Sequence, residues 1–126
     1  MARNAITTDK IAASIGPFSA GVQAGGFVFL SGQIALDPAS GKLIAGDVSA
    51  QTEQILRNIG AVLDASGKQF ADVVKTAVFL VDMRDFSAMN GVYSRFFTAP
   101  FPARTTIAVA GLPFGAAVEI EALVGP

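Results

Sequence analysis

One stretch, Val73–Val81, limits what this chain can fold into more than any other. Its sequence V-V-K-T-A-V-F-L-V is apolar on both faces of an extended strand, apart from Lys75 and Thr76. A strand with two apolar faces is typical of a sheet interior that is covered on both sides. We therefore predict that Val73–Val81 is a central strand with something packed on each of its faces.

Gly and Pro residues divide the rest of the chain into short elements. The other predicted strands are Ala5–Thr7, Ser19–Gln23, Phe27–Ile34, Arg104–Ala110 and Ala116–Val124, with a hairpin turn at Gly25-Gly26. A first helix is predicted from an Asp47 N-cap to Ser66-Gly67, and a second begins at Asp82 or Asp85, carries apolar residues from Phe86 to Phe97 and ends before Pro100. The order β-β-β-α-β-α-β-β predicts one α+β domain over residues 1–126, with a single helical layer on a mostly β sheet.

The composition is unusually apolar for a chain of this length. Hydrophobic residues make up 52% of the 126 residues and charged residues 15%, against roughly 25% charged in an average soluble domain. A domain this small buries only about two thirds of its unfolded surface. The surplus predicts a homo-oligomer that hides apolar surface between subunits. No apolar run approaches the ~18 residues of a membrane span and no signal peptide opens the chain, so we expect a cytoplasmic protein without a membrane partner.

Two absences narrow the possible chemistry. The sequence has no cysteine and no histidine, which excludes a disulfide framework, a thiol nucleophile, a zinc finger and a Ser-His-Asp triad. Proton transfer must then fall to Asp, Glu, Lys, Tyr, a hydroxyl or water. The net charge is −1, which argues against a partner that is a nucleic acid or a membrane surface.

Arg104 is the first candidate functional residue. It follows Phe101-Pro102-Ala103 and enters a strand of Thr, Ile, Ala and Val residues. A guanidinium in such surroundings needs a partner, because an unpaired buried charge is costly. The partner is either an acid of this chain or the carboxylate of a substrate, which a guanidinium binds bidentately.

Glu119 and Glu121 form the second candidate. Strand alternation places them on one face, while Val118, Ile120 and Ala122 occupy the other. Either this face is solvated, or one of the two glutamates is a partly buried acid/base with a pKa raised by desolvation. The sequence alone leaves open whether Glu119 approaches Arg104.

Three further positions break the local pattern. Ser31-Gly32-Gln33 interrupts an apolar strand, and a glycine there indicates a bulge or a close approach of backbone. Asn90 lies beside Gly91 inside a predicted helix, although neither residue favours helix. Tyr93 lies on the apolar stripe of the same helix and is interpreted as a core residue.

These features occur in a sequence that closely resembles the reactive-intermediate deaminase (Rid) family, also called the YjgF or perchloric-acid-soluble protein family. The matching segments are Ile15-Gly16-Pro17-Phe18, Ser31-Gly32-Gln33-Ile34, Val74-Lys75-Thr76, Val78-Phe79, Asn90, Phe96-Phe97, Phe101-Pro102-Ala103-Arg104, Leu112-Pro113 and Glu119-Ile120-Glu121-Ala122. The resemblance implies a chorismate-mutase-like α+β fold, with a six-stranded mixed sheet packed by two helices and assembled as a homotrimer. It also implies substrate sites in the clefts between subunits.

The implied reaction is hydrolysis of 2-imino acids, such as 2-iminobutanoate and 2-iminopropanoate, to 2-keto acids and ammonia, with no metal or cofactor. By the same resemblance, Arg104 would hold the substrate carboxylate and Glu119 would activate the attacking water. The residues expected to contact substrate are Phe18, Ser31, Gly32, Asn90, Arg104 and Thr106. Asn90 is expected close to the subunit junction.

The chain departs from the family pattern at two of these positions. Phe18 stands where deaminases of the family commonly carry Tyr, and Thr106 where many carry Cys. The missing hydroxyl at Phe18 predicts lower activity or a preference for more apolar substrates. Two alternatives remain open: a non-catalytic trimer that binds a small carboxylate, and the endoribonuclease or translation-inhibitor role attached to some members, which the acidic composition disfavours.

Overall fold

A computed structural model describes residues 2–126 as six strands and two helices, in the predicted order along the chain. The strands are β1 (Asn4–Ile6), β2 (Gly21–Ala24), β3 (Phe27–Gln33), β4 (Val73–Leu80), β5 (Ala103–Ala108) and β6 (Val118–Val124). The helices are α1 (Val48–Ala65) and α2 (Phe86–Tyr93). The predicted α+β class is confirmed, and most element ends lie within two or three residues of the prediction.

The six strands form one mixed sheet in the order β1-β2-β3-β6-β4-β5. Strands β4 and β5 are parallel because α2 connects them as a crossover, and the other neighbours are antiparallel. The hairpin between β2 and β3 turns at Gly25 and Gly26, whose φ angles are 60° and 83°. Two successive positive φ values suit a two-residue hairpin turn, and glycine adopts them without strain.

Helix α1 supplies most of the helical side of the core. Its N-terminus is capped as predicted, because the Asp47 side chain accepts a hydrogen bond from the backbone N–H of Ala50 at 3.0 Å. The helix ends before Ser66. Its fully buried apolar residues are Ile55, Leu56, Ile59, Val62 and Leu63, and they belong to one core with Val28, Val78, Leu80, Val118 and Ile120 of the sheet.

Helix α2 is shorter than predicted. It ends at Tyr93 instead of Phe97, and the chain continues in tight turns in which Arg95 and Phe96 donate to the carbonyls three residues back. Asp85 occupies the N-cap position without a side-chain hydrogen bond, whereas Asp82 accepts from the N–H of Arg84 and caps a short turn before the helix. The prediction of one helix from Phe86 to Phe97 was therefore wrong for its last four residues.

The prediction that β4 is covered on both faces is also wrong for the chain by itself. Thr76, Val78 and Leu80 are buried beneath the helices. On the opposite face, Lys75 of β4 is exposed, and the neighbouring side chains of Phe29 on β3 and Ile107 on β5 remain 49% and 45% exposed. We call this the open face of the sheet. Neither helix within residues 2–126 has the length and hydropathy of a membrane span.

Candidate active site

Arg104 lies on edge strand β5 and is held by aromatic rings. Its Cζ atom stands 4.8 Å from the ring centroid of Tyr93 and 5.5 Å from that of Phe86, both on α2. These distances are within the range of cation–π contacts. No ion pair joins Arg104 to a carboxylate among residues 2–126. Of the two sequence interpretations, the internal ion pair is therefore wrong for residues 2–126.

Tyr93 is itself fixed from two sides. Its hydroxyl forms a 2.7 Å hydrogen bond with the Thr76 hydroxyl, and its ring stacks on Phe97 with centroids 4.4 Å apart. Burial raises the pKa of Tyr93, which keeps its hydroxyl neutral. Tyr93 is buried, as predicted, but the sequence interpretation missed its contact with Arg104. The only sequence signal was the spacing of Phe86 and Tyr93, which places both on one side of α2.

A hollow of about 300 Å³ opens beside the guanidinium. Its lining residues are Asn90, Tyr93, Ser94, Phe101, Pro102 and Arg104. Asn90 is half-buried here, while the Phe101 side chain is 62% exposed. The hollow therefore combines an exposed aromatic ring with a guanidinium that pairs with no acid of residues 2–126. This combination is typical of a site that binds a carboxylate.

Strand β3 carries a bulge at Ser31 and Gly32, as the sequence indicated. Leu30 pairs with Ala122 and Gln33 pairs with Ile120, so three steps along β3 correspond to two along β6. The Ser31 hydroxyl donates to the Ser19 carbonyl at 2.6 Å, and the Ser31 N–H donates to the Ala20 carbonyl. These two bonds tie the bulge to the segment that precedes β2.

The bulge brings backbone against Glu119. A Cβ atom at residue 32 would stand 2.5 Å from Glu119 Oε2, so a larger residue here would displace the end of the Glu119 side chain. Burial, together with the negative charge of Glu121, raises the pKa of the half-buried Glu119 carboxyl. A glutamate with a raised pKa is a better proton acceptor for water than an ordinary one.

A cleft of about 430 Å³ lies over this carboxylate. Phe18, Ser31, Gly32, Gln33, Glu119 and Glu121 line it together with the loop Ile11–Ile15, Ala20, Ile34, Leu36 and Pro113. The loop residues were not predicted, because nothing in an irregular segment signals which surface it covers. Four of the predicted site residues, Phe18, Ser31, Gly32 and Glu119, thus meet in one cleft.

The predicted site residues form two separate groups. Paired residues in a sheet point to the same face, and Arg104 pairs with Thr76 whereas Glu119 pairs with Phe79. Thr76 and Phe79 lie on opposite faces of β4, because successive side chains alternate. Arg104 and Glu119 of one chain therefore face away from each other across the sheet.

Thr106 belongs to neither lining. It pairs with Val78 on the helix-facing side of β5, two residues beyond Arg104, and its Oγ1 is buried without a hydrogen-bond partner among residues 2–126. No group of three or more acidic residues in this part of the chain is arranged to hold a metal ion.

Comparison with known proteins agrees with the motifs and the topology. The sequence model of the family described as "Endoribonuclease L-PSP" matches residues 7–125. A 2-iminobutanoate/2-iminopropanoate deaminase of Capra hircus is 47% identical over 98% of this chain and 90% of its own. The chain belongs to the Rid family.

Two further proteins are similar over nearly their full length. Protein DfrA of Myxococcus xanthus is 50% identical over 98% of this chain and 95% of its own length. The crystal structure of RidA from an Antarctic Psychrobacter superimposes with a TM-score of 0.94 at 41% identity, over 98% of this chain and 99% of the other. The fold expected from the Rid resemblance, a six-stranded mixed sheet packed by two helices, is thereby confirmed.

Proposed function

We propose that this chain is an enamine/imine deaminase that hydrolyses 2-iminobutanoate, 2-iminopropanoate and related 2-imino acids to 2-keto acids and ammonia. The observation that carries the proposal is the state of Arg104. Two rings fix its guanidinium, and no acid of residues 2–126 neutralises it. Its N–H groups are therefore available for an incoming carboxylate, which they bind bidentately.

The complete site needs two copies of the chain. Arg104 and Asn90 line one hollow, and Glu119 with Ser31 and Gly32 lines a cleft reached from the other face. A substrate that contacts both Arg104 and Glu119 must lie where the hollow of one protomer meets the cleft of the next. The apolar open face supports such an assembly, since contact with neighbouring copies removes it from water. The proposed assembly is a homotrimer.

The chemistry follows from the two groups. Arg104 holds the carboxylate of the imino acid, which sets the C=N carbon in front of a water beside Glu119. Glu119 accepts a proton from that water as the new C–O bond forms, and gives it to the nitrogen of the resulting carbinolamine. It then accepts the remaining hydroxyl proton as the C=O bond forms and the C–N bond breaks, and this proton leaves with the ammonia as ammonium. The products are a 2-keto acid and ammonia. No cofactor is needed, because a protonated imine is already electrophilic.

The endoribonuclease activity in the family description fits this site less well. Glu119 and Glu121 both line the cleft, and their negative charges repel phosphate. The chain has no histidine for acid/base catalysis and carries one more acidic than basic residue. A site that binds the carboxylate of a 2-imino acid is therefore more consistent with these residues than a site that cleaves RNA.

The test is ammonia release from an enamine that a threonine dehydratase generates in the same cuvette. We expect the wild-type protein to accelerate the release, the Arg104→Ala variant to lose the acceleration, and the Arg57→Ala variant, altered at an exposed arginine of α1, to keep it. Loss of a desolvated charged contact commonly costs ~2–5 kcal/mol, which is readily measured as a rate. Full activity of Arg104→Ala would overturn the proposal. Keto-acid binding by calorimetry without any turnover would instead favour a binding protein.

A further inference from the structure

Thr76 is the one buried polar residue of the sheet within residues 2–126. It lies on β4 and is 1% exposed, on the same face as the apolar Val78 and Leu80. Burial of a hydroxyl costs free energy unless the hydroxyl forms a hydrogen bond, and a valine would fill nearly the same space without that cost. The packing of the core therefore does not by itself explain a threonine at this position.

The hydrogen bond of Thr76 anchors an aromatic ring. In the part of the chain that the structure describes, its hydroxyl bonds to one group, the Tyr93 hydroxyl of α2, at 2.7 Å. Tyr93 is 5% exposed, and its ring stacks on that of Phe97 with an interplanar angle of 28°. Stacking fixes the plane of the ring, whereas the directional hydroxyl bond fixes its position within that plane. Together, the two contacts hold the Tyr93 ring in one place.

The guanidinium of Arg104 lies against this anchored ring. Arg104 of β5 pairs with Thr76 of β4, so the two side chains leave the sheet on the same face. The Arg104 Cζ atom is closer to the ring centroid of Tyr93, at 4.8 Å, than to that of Phe86, at 5.5 Å. Phe86 is 38% exposed and has no polar group that could anchor its ring. Of the two rings, that of Tyr93 therefore determines where the guanidinium rests.

We infer that Thr76 is a positioning residue for carboxylate binding, which acts through the ring of Tyr93 on the guanidinium of Arg104. The inference rests on the proposed function, in which Arg104 holds the carboxylate of the 2-imino acid. A bidentate contact needs two N–H groups aligned with two carboxylate oxygens, so a small displacement of the guanidinium weakens it. Thr76 is not part of the lining of the hollow beside Arg104, and it therefore affects the substrate only through its neighbours.

The ionisation of Tyr93 agrees with this arrangement. Burial raises the pKa of Tyr93 and outweighs the hydrogen bond to Thr76 and the charge of Arg104, which both lower it. The hydroxyl therefore stays neutral. A tyrosinate this close would pair with Arg104 and compete with the substrate carboxylate. The buried hydroxyl pair thus holds the ring in place without neutralising the guanidinium.

Three variants separate positioning from stability. Thr76→Val and Tyr93→Phe each leave one buried hydroxyl without its partner, whereas the double variant removes both hydroxyls. We expect each single variant to lower the thermal unfolding midpoint and the double variant to recover most of that loss, since replacing both partners by apolar groups costs little. Binding of 2-ketobutyrate, measured by calorimetry, should instead be about five-fold weaker in all three, because each lacks the bond that anchors the ring. KM for 2-iminobutanoate should rise by a similar factor, and kcat should change less than two-fold.

Two control variants accompany these. Thr76→Ser keeps the hydroxyl and should bind 2-ketobutyrate within two-fold of the wild type. Thr52→Val removes a buried hydroxyl of α1 that donates to the Val48 carbonyl at 2.7 Å, far along the chain from β4 and β5. This variant should lower the unfolding midpoint as Thr76→Val does, but leave binding and KM unchanged.

The outcomes separate the inference from the proposal beneath it. Wild-type affinity in the double variant, or affinity that follows stability from variant to variant, overturns the positioning role and leaves the deaminase intact. The double variant leaves no hydroxyl of the pair unsatisfied, so it remains informative if a single variant does not fold. If the wild-type protein neither binds 2-ketobutyrate nor hydrolyses an imine, the proposed function fails and the inference fails with it.

Discussion

The backbone of Gly32 lies against the carboxylate of Glu119, so closely that a Cβ atom on residue 32 would stand 2.5 Å from Oε2. The bulge in β3 produces this approach, because it inserts an extra residue opposite β6. An alanine at position 32 would therefore push the end of the Glu119 side chain aside. The absence of a side chain at residue 32 leaves room for the Glu119 carboxylate beside the bulge.

Gly32→Ala should displace the Glu119 carboxylate and lower kcat by about ten- to a hundred-fold, the usual cost of a small misplacement of a catalytic group. Binding of 2-ketobutyrate should change much less, since Arg104 is untouched. The measurement is steady-state kinetics beside calorimetry. Gly111→Ala is the matched control, because a Cβ there meets nothing within 4 Å. Equal kcat values for the two variants would contradict the role given to this contact.

Phe86→Leu should weaken binding of 2-ketobutyrate two- to five-fold, which corresponds to the loss of about 0.5–1 kcal/mol for an exposed cation–π contact. Phe86 is 38% exposed, so the fold should survive the change. Phe86→Tyr keeps a ring over Arg104 and should bind as the wild type does. Calorimetry measures both variants. Wild-type affinity in Phe86→Leu would show that the contact between the Phe86 ring and Arg104 does not contribute to binding.

The acid limb of the kcat profile should lie above pH 4.5, the ordinary pKa of a glutamate, because burial and Glu121 both raise the pKa of Glu119. As the pH falls through that raised pKa, Glu119 becomes protonated and can no longer accept a proton from water. Glu121→Gln removes the repelling charge and should move the limb to lower pH. Asp64→Asn, a charge removed from the exposed end of α1, should leave it in place. An unmoved limb in Glu121→Gln would exclude this coupling.

Phe29→Glu should dissociate the assembly, because it places a charge on the open face that contact between copies would bury. Analytical ultracentrifugation should then show a monomer, and deaminase activity should be lost because the proposed site combines residues of two chains. Met83→Glu adds the same charge at an exposed residue outside the sheet and should do neither. A monomeric Phe29→Glu protein with full activity would show that one chain suffices.

The sequence indicated the strand order along the chain, the Asp47 cap and the bulge at Gly32, because each of these depends on local residue types. It overestimated α2, since the apolar spacing up to Phe97 continues through turns that pack like a helix but are not one. It also required a covered second face for Val73–Val81, which one chain does not provide. The local sequence pattern indicates that a surface is buried, but it does not indicate what covers that surface.

The environment of Arg104 likewise could not be predicted from the local sequence. From the sequence, the partner of Arg104 was predicted to be an acid of the chain or a substrate carboxylate. In the structure, its guanidinium contacts the rings of Tyr93 and Phe86. That contact depends on how α2 packs relative to edge strand β5, which no local sequence pattern specifies. The separation of Arg104 from Glu119 likewise follows from the position of β4 between β5 and β6. Sheet order, and not residue spacing, determines which predicted site residues can meet.

The central claim is that Arg104 of one protomer and Glu119 of the next form one site, and co-expression of two inactive chains tests it most directly. Arg104→Ala and Glu119→Gln each remove half of every site. In randomly mixed oligomers with head-to-tail interfaces, about one quarter of the interfaces regain both intact residues. With native mass spectrometry confirming the mixed oligomers, we predict about a quarter of wild-type deaminase activity. Mixed oligomers no more active than either parent would contradict the shared site.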